Sequence, residues 1–283
     1  MIMKLDHILS SLTYLGSCFT VFAVGHLVFV IFRRSYNIKT ELMEKDNVAF
    51  ALVLCGYYLG LTFSIGGVIA GPSAGLENDL IDMLIYGSLA IVLLNLSALI
   101  NNRFILSEFD IRKEILKDQN CGTGVVEFAV FLATGLNIFG AIFGEGGSIF
   151  TAITFWALGQ TVLVLVGKYY NLITKYNIHE EIEKDNVAVG IGFAGALIGI
   201  GNLLRAASAE HFISWEENLT TFIIYMLVGL ILLPVTRTLI DRILLPGRSL
   251  ADELVNQVKP NQGAAFLEAS SYIGASFLIT WCI

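Results

Sequence analysis

Eight long apolar runs, separated by polar or Gly/Pro-rich breaks, constrain this chain more than any other feature. A helix needs about 20 mostly apolar residues to cross a hydrocarbon core roughly 30 Å thick, and each run has that length. The runs are apolar all round, whereas a surface helix of a soluble protein has one polar face. The runs cover about residues 8–32, 47–70, 81–103, 122–144, 148–169, 187–208, 219–242 and 262–283. They predict an all-α integral membrane protein with eight transmembrane helices.

Composition and motifs exclude several other classes. Only 14% of the 283 residues are charged, against about 25% in soluble domains. The four cysteines include no CxxC pair and the four histidines are isolated, so we expect inert buried thiols, no metal site and no cofactor. The glycines of 190–195 superficially match a dinucleotide motif, but that motif needs a preceding β-strand. Without a phosphate loop or a catalytic triad, the sequence predicts neither an enzyme nor a nucleic-acid-binding protein.

The Lys and Arg residues predict the orientation in the membrane. The loops after the first, third, fifth and seventh runs hold 15 of the 17, and only Lys4 and Arg205 fall on the other side. Loops rich in Lys and Arg stay in the cytoplasm. Both termini are therefore expected outside the cytoplasm, in a multi-pass arrangement.

The chain contains an internal duplication. An offset of 139 residues aligns Glu44-Lys45-Asp46-Asn47-Val48-Ala49 with Glu183-Lys184-Asp185-Asn186-Val187-Ala188. We therefore expect two four-helix membrane repeats, at residues 1–146 and 147–283. Each has an even number of spans, so the repeats are parallel and related by a pseudo-two-fold axis along the membrane normal.

A weaker pattern recurs four times, at the cytoplasmic start of every second apolar run, and predicts four helical hairpins. It consists of a Glu, a spacer, an Asn and then small residues at the second and fourth positions after the Asn. The four pairs are Glu41 with Asn47, Glu114 with Asn120, Glu180 with Asn186, and Glu253 with Asn261. Asn is a preferred N-cap residue, which is one interpretation of these positions. The other places the four side chains around a common cytoplasmic vestibule.

Glu127 and Glu268 are the predicted functional side chains. Each lies seven residues after its Asn, about 10 Å into the helix at 1.5 Å per residue. An acidic group at the bilayer centre costs roughly 2.5–3.5 kcal/mol, and less away from the centre. Either the two carboxylates face an interior cavity and bind a cation or exchange a proton, or each is a hydrogen-bonded contact between packed helices.

The two longer cytoplasmic loops are each predicted to contain a short amphipathic helix, within 107–119 and 249–260. Ser107 with Asp110 and Ser249 with Asp252 have the spacing of a capping box. Apolar residues four apart, at 111 and 115 and at 250 and 254, form a stripe on each helix. Such a stripe lies on the membrane surface or receives a cytosolic protein partner.

The motif Asp46-Asn47-Val48-Ala49, its second copy at 185–188 and the four-helix units of this length resemble the YjfL-like bacterial inner-membrane family. This is the domain-of-unknown-function family numbered 350. The resemblance covers nearly the whole chain as two tandem units, although Gly replaces Ala at 122 and 263. It implies location in the bacterial plasma (inner) membrane and supplies no established activity and no functional residue.

Two functions follow from these patterns. The first is a channel- or transporter-like bundle for a small cation, a proton or another small solute, with Glu127 and Glu268 as the binding or coupling groups. The alternative is a non-transporting membrane scaffold or envelope-stress factor that holds a cytosolic partner through its loop helices.

Overall fold

The structure is a computed structural model that describes residues 2–34, 36–245 and 247–283, with the side chains of 2–6 and 244 outside the description. The side chain of Lys4, used above for orientation, is therefore not among the described groups. Throughout these ranges the regular structure is helical. The α-helices are α1 (Ile2–Phe32), α2 (Val48–Ile69), α3 (Leu76–Phe104), α4 (Ile111–Lys113), α5 (Cys121–Phe143), α6 (Ile149–Ile173), α7 (Ile178–Glu183), α8 (Val187–Ser208), α9 (Trp215–Leu239), α10 (Leu250–Val255) and α11 (Gln262–Cys282).

Each predicted apolar run forms one of the long helices. Seven of these helices in the described ranges are long and apolar enough to cross a membrane, namely α2, α3, α5, α6, α8, α9 and the His7–Phe32 part of α1. The helix α11 has 21 residues but is not among the seven. Its sequence QGAAFLEASSYIGASFLITWC is diluted by Gln262, Glu268 and three serines. Length and composition therefore identify seven spans among the described residues, and the predicted eighth span stays a prediction.

The helices α2, α5, α8 and α11 pack side by side in that order, and we call them the central row. Close approach within the row needs small residues. A methyl group on Gly135 of α5 would collide with the backbone of Gly60 in α2, and a methyl group on Gly201 of α8 would lie 2.6 Å from the Cα of Ala133 in α5. Because no side chain separates the backbones there, neighbouring helices make extensive van der Waals contact.

The remaining long helices α1, α3, α6 and α9 flank the row. The helix α3 contacts α2 and α5, α6 contacts α5 and α8, and α9 contacts α8 and α11. The helix α1 packs on α2 and α3. A flanking helix thus lies over the groove between two neighbouring row helices. As a result α8 is the most enclosed span, with 89% of its apolar window buried, against 11% for α1.

The short loop helices differ from their predicted environment. Ile111 and Ile115 are 7% and 0% exposed, and Leu250 and Leu254 are both fully buried. These side chains belong to the protein's own core, so the prediction that they lie on a membrane surface or receive a partner is wrong. The scaffold alternative thereby loses the surfaces on which it was based. The cap of α4 is also different, since Asp110 and not Ser107 accepts hydrogen bonds from the Arg112 and Lys113 amides.

The cysteines also differ from prediction. Cys55 and Cys282 are exposed at the helix surface, and Cys18 and Cys121 are partly exposed. An apolar sequence context does not distinguish a helix face that packs against the protein from one that faces outward.

Candidate functional site

All four asparagines of the hairpin motif cap helices of the central row. Each side-chain oxygen accepts a hydrogen bond from the backbone N–H three residues later, which would otherwise lack a helical partner. The acceptor–donor pairs are Asn47 with Phe50 (3.0 Å), Asn120 with Thr123 (2.8 Å), Asn186 with Val189 (3.2 Å) and Asn261 with Ala264 (3.1 Å).

The amide nitrogens of the same residues bond to the preceding glutamates. The distances to the Oε2 atoms are 2.8 Å for Asn47 to Glu41, 2.9 Å for Asn120 to Glu114, 3.1 Å for Asn186 to Glu181 and 2.8 Å for Asn261 to Glu253. In the third hairpin the partner is Glu181, one residue later than the predicted Glu180. Glu180 instead accepts a bond from Asn177. These glutamates are therefore acceptors that hold the caps in place.

Three of the amides also bond to the next hairpin. Asn47 donates to the Ile115 carbonyl at 2.8 Å, Asn120 to the Ile182 carbonyl at 2.7 Å, and Asn186 to the Leu254 carbonyl at 2.9 Å. The asparagines thus follow the central row, one per hairpin, and their described contacts are with the chain itself. A common vestibule formed by the four side chains stays a prediction.

Glu268 is the centre of a buried polar cluster. Its Oε1 atom accepts hydrogen bonds from Arg237 Nη1 at 2.6 Å, Tyr170 Oη at 2.9 Å and Tyr272 Oη at 3.1 Å. The carboxylate is fully buried and the Arg237 side chain is 10% exposed. The other oxygen, Oε2, is buried without a hydrogen-bond partner among the described residues. One oxygen thus has three donors while the other has none.

The backbone of α8 confines this carboxylate. Gly192 lies directly against Glu268 Oε2, so that any side chain at position 192 would collide with it. This contact explains one glycine of the 190–195 motif, and close contact of Gly190 and Gly195 with α5 and α11 explains the other two. The motif serves helix packing, as the absence of a preceding strand indicated.

Tyr176 lies in the loop after α6 and joins the Glu268 cluster through its contacts with Arg237. Its hydroxyl accepts a bond from Arg237 Nη2 at 3.5 Å, and the guanidinium lies 5.7 Å from the ring centroid. Burial and the nearby Glu268 charge raise the pKa of Tyr176 to about 12. This phenol therefore remains protonated at physiological pH.

Glu127 lies in a different environment from Glu268, although the two occupy equivalent positions. It is 2% exposed, and with the Asn102 amide oriented to satisfy its hydrogen bonds, Nδ2 donates to Glu127 Oε1 at 3.1 Å. The positive charge of Arg33 attracts the Glu127 carboxylate. The Arg33 guanidinium stacks on the rings of Phe29 and Phe131. Its Nη1 atom is buried and has no hydrogen-bond partner among the described residues. The first repeat thus holds its carboxylate without the direct ion pair of the second.

The two carboxylates do not share one site. Glu127 is on α5 and Glu268 is on α11, and α8 lies between these helices in the central row. Their described hydrogen-bond partners have no residue in common. Any chemistry at these positions therefore occurs separately in each repeat.

Sequence reasoning missed most residues around these carboxylates. Arg237 lies within the seventh apolar run but was counted only among the basic residues of the following cytoplasmic loop, whereas the structure has it in the last turn of α9. Tyr272 could have been identified from the sequence, because it lies four residues after Glu268 and residues four apart share a helix face. Tyr170 and Asn102 carried none, since their proximity depends on how separate helices pack.

The other intramembrane polar residues form bonds between helices. Asn95 donates to Tyr57 Oη, Asn137 to the Trp156 carbonyl, and Gln160 to Thr134. His26 is paired with Tyr58 and Asn202 with Ser276. Within the described residues, no group of three or more His, Cys, Asp or Glu is arranged to hold a metal ion.

Long apolar helices that bury polar side chains against one another define a transmembrane helical bundle, and comparison with known proteins agrees. The family model described as Domain of Unknown Function (DUF350) matches residues 3–142 and again 146–283. The chain belongs to this family and contains two tandem units of it. The predicted resemblance is confirmed.

Two bacterial relatives are both described as UPF0719 transmembrane proteins. A UPF0719 transmembrane protein of Aquifex aeolicus (strain VF5) is 24% identical over 269 residues, which cover 94% of this chain and 97% of the relative. The UPF0719 transmembrane protein YshE of Bacillus subtilis (strain 168) is 26% identical over 125 residues, which cover 44% of this chain and 87% of the relative. No solved structure matches the chain. The chain is therefore a transmembrane protein.

Proposed function

We propose that the protein transfers protons or another small cation across a bacterial plasma membrane, with Glu268 and Glu127 as the groups that exchange the ion. The observation that carries the proposal is the Glu268 carboxylate, which is fully buried and has one oxygen without a hydrogen-bond partner in the part of the chain that the structure describes. A buried polar atom without a partner is costly. Ionisable residues within transmembrane segments are rare, and they mark ion pathways and proton relays. The proposal includes no enzymatic reaction.

The topology proposed for this function has eight spans in two parallel repeats. The long helix α11 completes the eighth span despite its lower hydropathy, because its polar side chains Glu268, Tyr272 and Ser276 are buried against neighbouring helices. The Lys and Arg distribution supports cytoplasmic loops after α1, α3, α6 and α9, and both termini outside the cytoplasm.

A line of buried polar groups extends along α11 from the Glu268 cluster. Glu268, Tyr272 and Ser276 are spaced by four residues, so they share a face over about 12 Å of helix. Asn202 of α8 donates to Ser276 Oγ at 3.2 Å, and Arg205 Nε donates to Asn202 Oδ1 at 3.1 Å. Polar groups therefore extend from Arg237, in the last turn of α9, to Arg205, in the last turn of α8.

The two oxygens of Glu268 have different roles in this proposal. The three donors on Oε1 stabilise the anionic carboxylate, because charge-assisted hydrogen bonds are the stronger kind in a site of low dielectric constant. The unpaired Oε2 takes up and releases the proton. In the first repeat Glu127 performs the same exchange with Asn102 and Arg33 as its polar neighbours.

The test is proton flux into liposomes that contain the purified protein and a trapped pH-sensitive dye. A potassium diffusion potential set by valinomycin provides the driving force. We expect the protein to accelerate the internal pH change over protein-free liposomes. The double variant Glu127→Gln/Glu268→Gln should remove this acceleration, because glutamine cannot exchange a proton.

The matched control is Glu216→Gln, the same change at an exposed carboxylate in the first turn of α9. It should leave flux at the wild-type level. Equal flux from wild type and from a correctly folded, equally incorporated double variant would refute the proposal for protons. Repeating the assay with a sodium-sensitive dye separates proton transfer from sodium transfer.

A further inference from the structure

The three contacts within the central row follow one register. We number the positions of each row helix from its capping Asn, which is position 0. Position 9 of one helix then contacts position 8 of the next, position 2 contacts position 4, and position 13 contacts position 15. We call positions 2, 9 and 13 the forward face, and positions 4, 8 and 15 the rear face. The observed pairs, forward residue first, are Gly56 with Phe128, Ala49 with Gly124, Gly60 with Gly135, Gly122 with Gly190, Ala133 with Gly201, and Gly195 with Ala269.

The forward face of α11 has no partner helix among the described residues. Its three residues are Gly263, Ser270 and Gly274, and all are exposed. A methyl group added to Gly274 would meet nothing within 4 Å, whereas one added at the equivalent Gly60 would collide with the Phe131 carbonyl. The fourth hairpin therefore has the small residues by which a row helix contacts the next one, but no described helix packs on them.

The rear face of α2 is open in the same way. Cys55 and Thr62 are exposed and Ala51 is partly exposed. Among the described residues, the flanking helix beside it, α1, packs extensively on one row helix, α2, whereas α3, α6 and α9 each pack on two. No helix in the described ranges covers this face of α2.

The hydrogen bonds from the capping asparagines to the following hairpin also end at α11. Asn47, Asn120 and Asn186 each donate to a carbonyl of the following hairpin. Among the described residues, the amide of Asn261 bonds to Glu253 and to no other group. The accepting residues Ile115, Ile182 and Leu254 each follow the cap-binding glutamate. In the first hairpin that position is Leu42, which follows Glu41, and no described asparagine amide donates to its carbonyl.

We propose that a second copy of this chain binds head to tail, with the forward face of α11 on the rear face of α2. The internal contacts of the row continue across this interface in the same register, with Ser270 against Cys55 and Asn261 donating to the Leu42 carbonyl. Small residues at these positions allow the close approach by which membrane helices associate. The contact joins two different surfaces, so it is heterologous, and such contacts form rings when the rotation closes.

The curvature of the central row favours closure. A groove of about 450 Å³ is lined by residues of all four row helices, including Leu52, Val125, Ile191 and Phe266. One side of the row is therefore concave. Adding hairpins in the same register continues the curve around this groove, and the proposed assembly encloses it.

Disulfide formation between copies tests the register directly. The starting chain has Cys18, Cys121 and Cys282 replaced by Ala and keeps the native Cys55. Adding Ser270→Cys should give a species of twice the chain mass when membranes are oxidised with copper–phenanthroline. The expected pair is close enough, because the equivalent Gly195 and Ala269 are in direct backbone contact and a disulfide requires Cα atoms within about 7 Å.

Three variants decide between outcomes. Restoring Ser270, or replacing Cys55 by Ala while Ser270→Cys is kept, should abolish the double-mass species. Ser271→Cys, one residue around the helix, should not produce it. Cross-linking of Ser270→Cys without Cys55 would indicate a two-fold symmetric contact and overturn the proposal. Absence of any product from folded protein in native membranes would also overturn it, leaving lipid as the occupant of both faces.

Discussion

Glu268 and Arg237 combine a short contact with almost complete exclusion of solvent. Their N–O distance is 2.6 Å and the carboxylate is fully buried. Bringing two charges into such an environment has a desolvation cost that the pairing must offset, so the pair is a weak source of net stability but fragile to the loss of either member. At the residue scale, the two side chains act as one unit.

A double-mutant cycle at this pair should show strong coupling. Arg237→Met leaves Glu268 without its cation and should lower the free energy of unfolding by about 3–5 kcal/mol, the usual effect of removing one partner of a buried pair. The double variant Arg237→Met/Glu268→Met should recover part of this loss, because no charge is then buried alone. Unfolding in detergent, followed by circular dichroism, measures both values. The interpretation would be contradicted if the double variant lost as much unfolding free energy as Arg237→Met, or as much as the two single substitutions added together.

The same residues show what a sequence can and cannot predict. The carboxylates Glu127 and Glu268 stood out because an acidic residue interrupts an apolar run, a local signal. Their partners did not, because Arg237 lies at the edge of its run and Tyr170 is 98 positions away in the chain. The buried stripes at Ile115 and Leu254 were misassigned for the same reason, since amphipathicity identifies an apolar face and not its neighbour.

At the scale of the helix, the asparagine caps do two jobs. The side-chain oxygen satisfies the start of one helix, and the amide nitrogen reaches the loop of the next hairpin. The sequence predicted the first role, because an N-cap depends on residues within one turn. The second role needed the structure, since Asn120 and its acceptor Ile182 are 62 residues apart.

Asn120→Asp separates these two roles. Aspartate keeps the oxygen that caps α5 but loses both N–H donors, and it places a carboxylate next to Glu114 Oε2, the atom 2.9 Å from the present amide. We expect a loss of about 1–3 kcal/mol in unfolding free energy, the cost of leaving a buried polar group unpaired.

The control for this element is Asn177→Asp, at a partly exposed cap whose amide bonds to the exposed Glu180 at 3.1 Å. Solvent can replace that bond, so stability should change by less than about 0.5 kcal/mol, as for ordinary surface substitutions. A similar loss in both variants would mean that the bond between hairpins contributes nothing beyond the local pair. Chemical denaturation in the same detergent gives the comparison.

At the scale of the whole molecule, the proposed parallel arrangement of the repeats predicts which loops reach each side of the membrane. Four hairpins with the same orientation place every Asn cap at one membrane face. In that topology we expect Arg112 and Lys175 in the cytoplasm and the segment before α9 outside.

Labelling of intact cells with a membrane-impermeant maleimide tests this arrangement. In a cysteine-free background, Arg112→Cys and Lys175→Cys should react only after permeabilisation, whereas Glu216→Cys should react in intact cells. The arrangement predicts complete protection of the first two positions, because the bilayer excludes the charged reagent. Modification of position 112 or 175 from outside would require a different topology for both repeats.

The neighbour-to-neighbour order of the central row has a consequence for biogenesis. Each hairpin finds its docking partner in the one synthesised just before it, so assembly can proceed during translation without waiting for the remainder of the polypeptide. Stability then accumulates stepwise, as in solenoid proteins whose units touch only adjacent units. In a single copy of the chain, unfolding is expected to start at the terminal hairpins, where a unit has one neighbour, and α8, the most buried span, should be the last part of the bundle to separate.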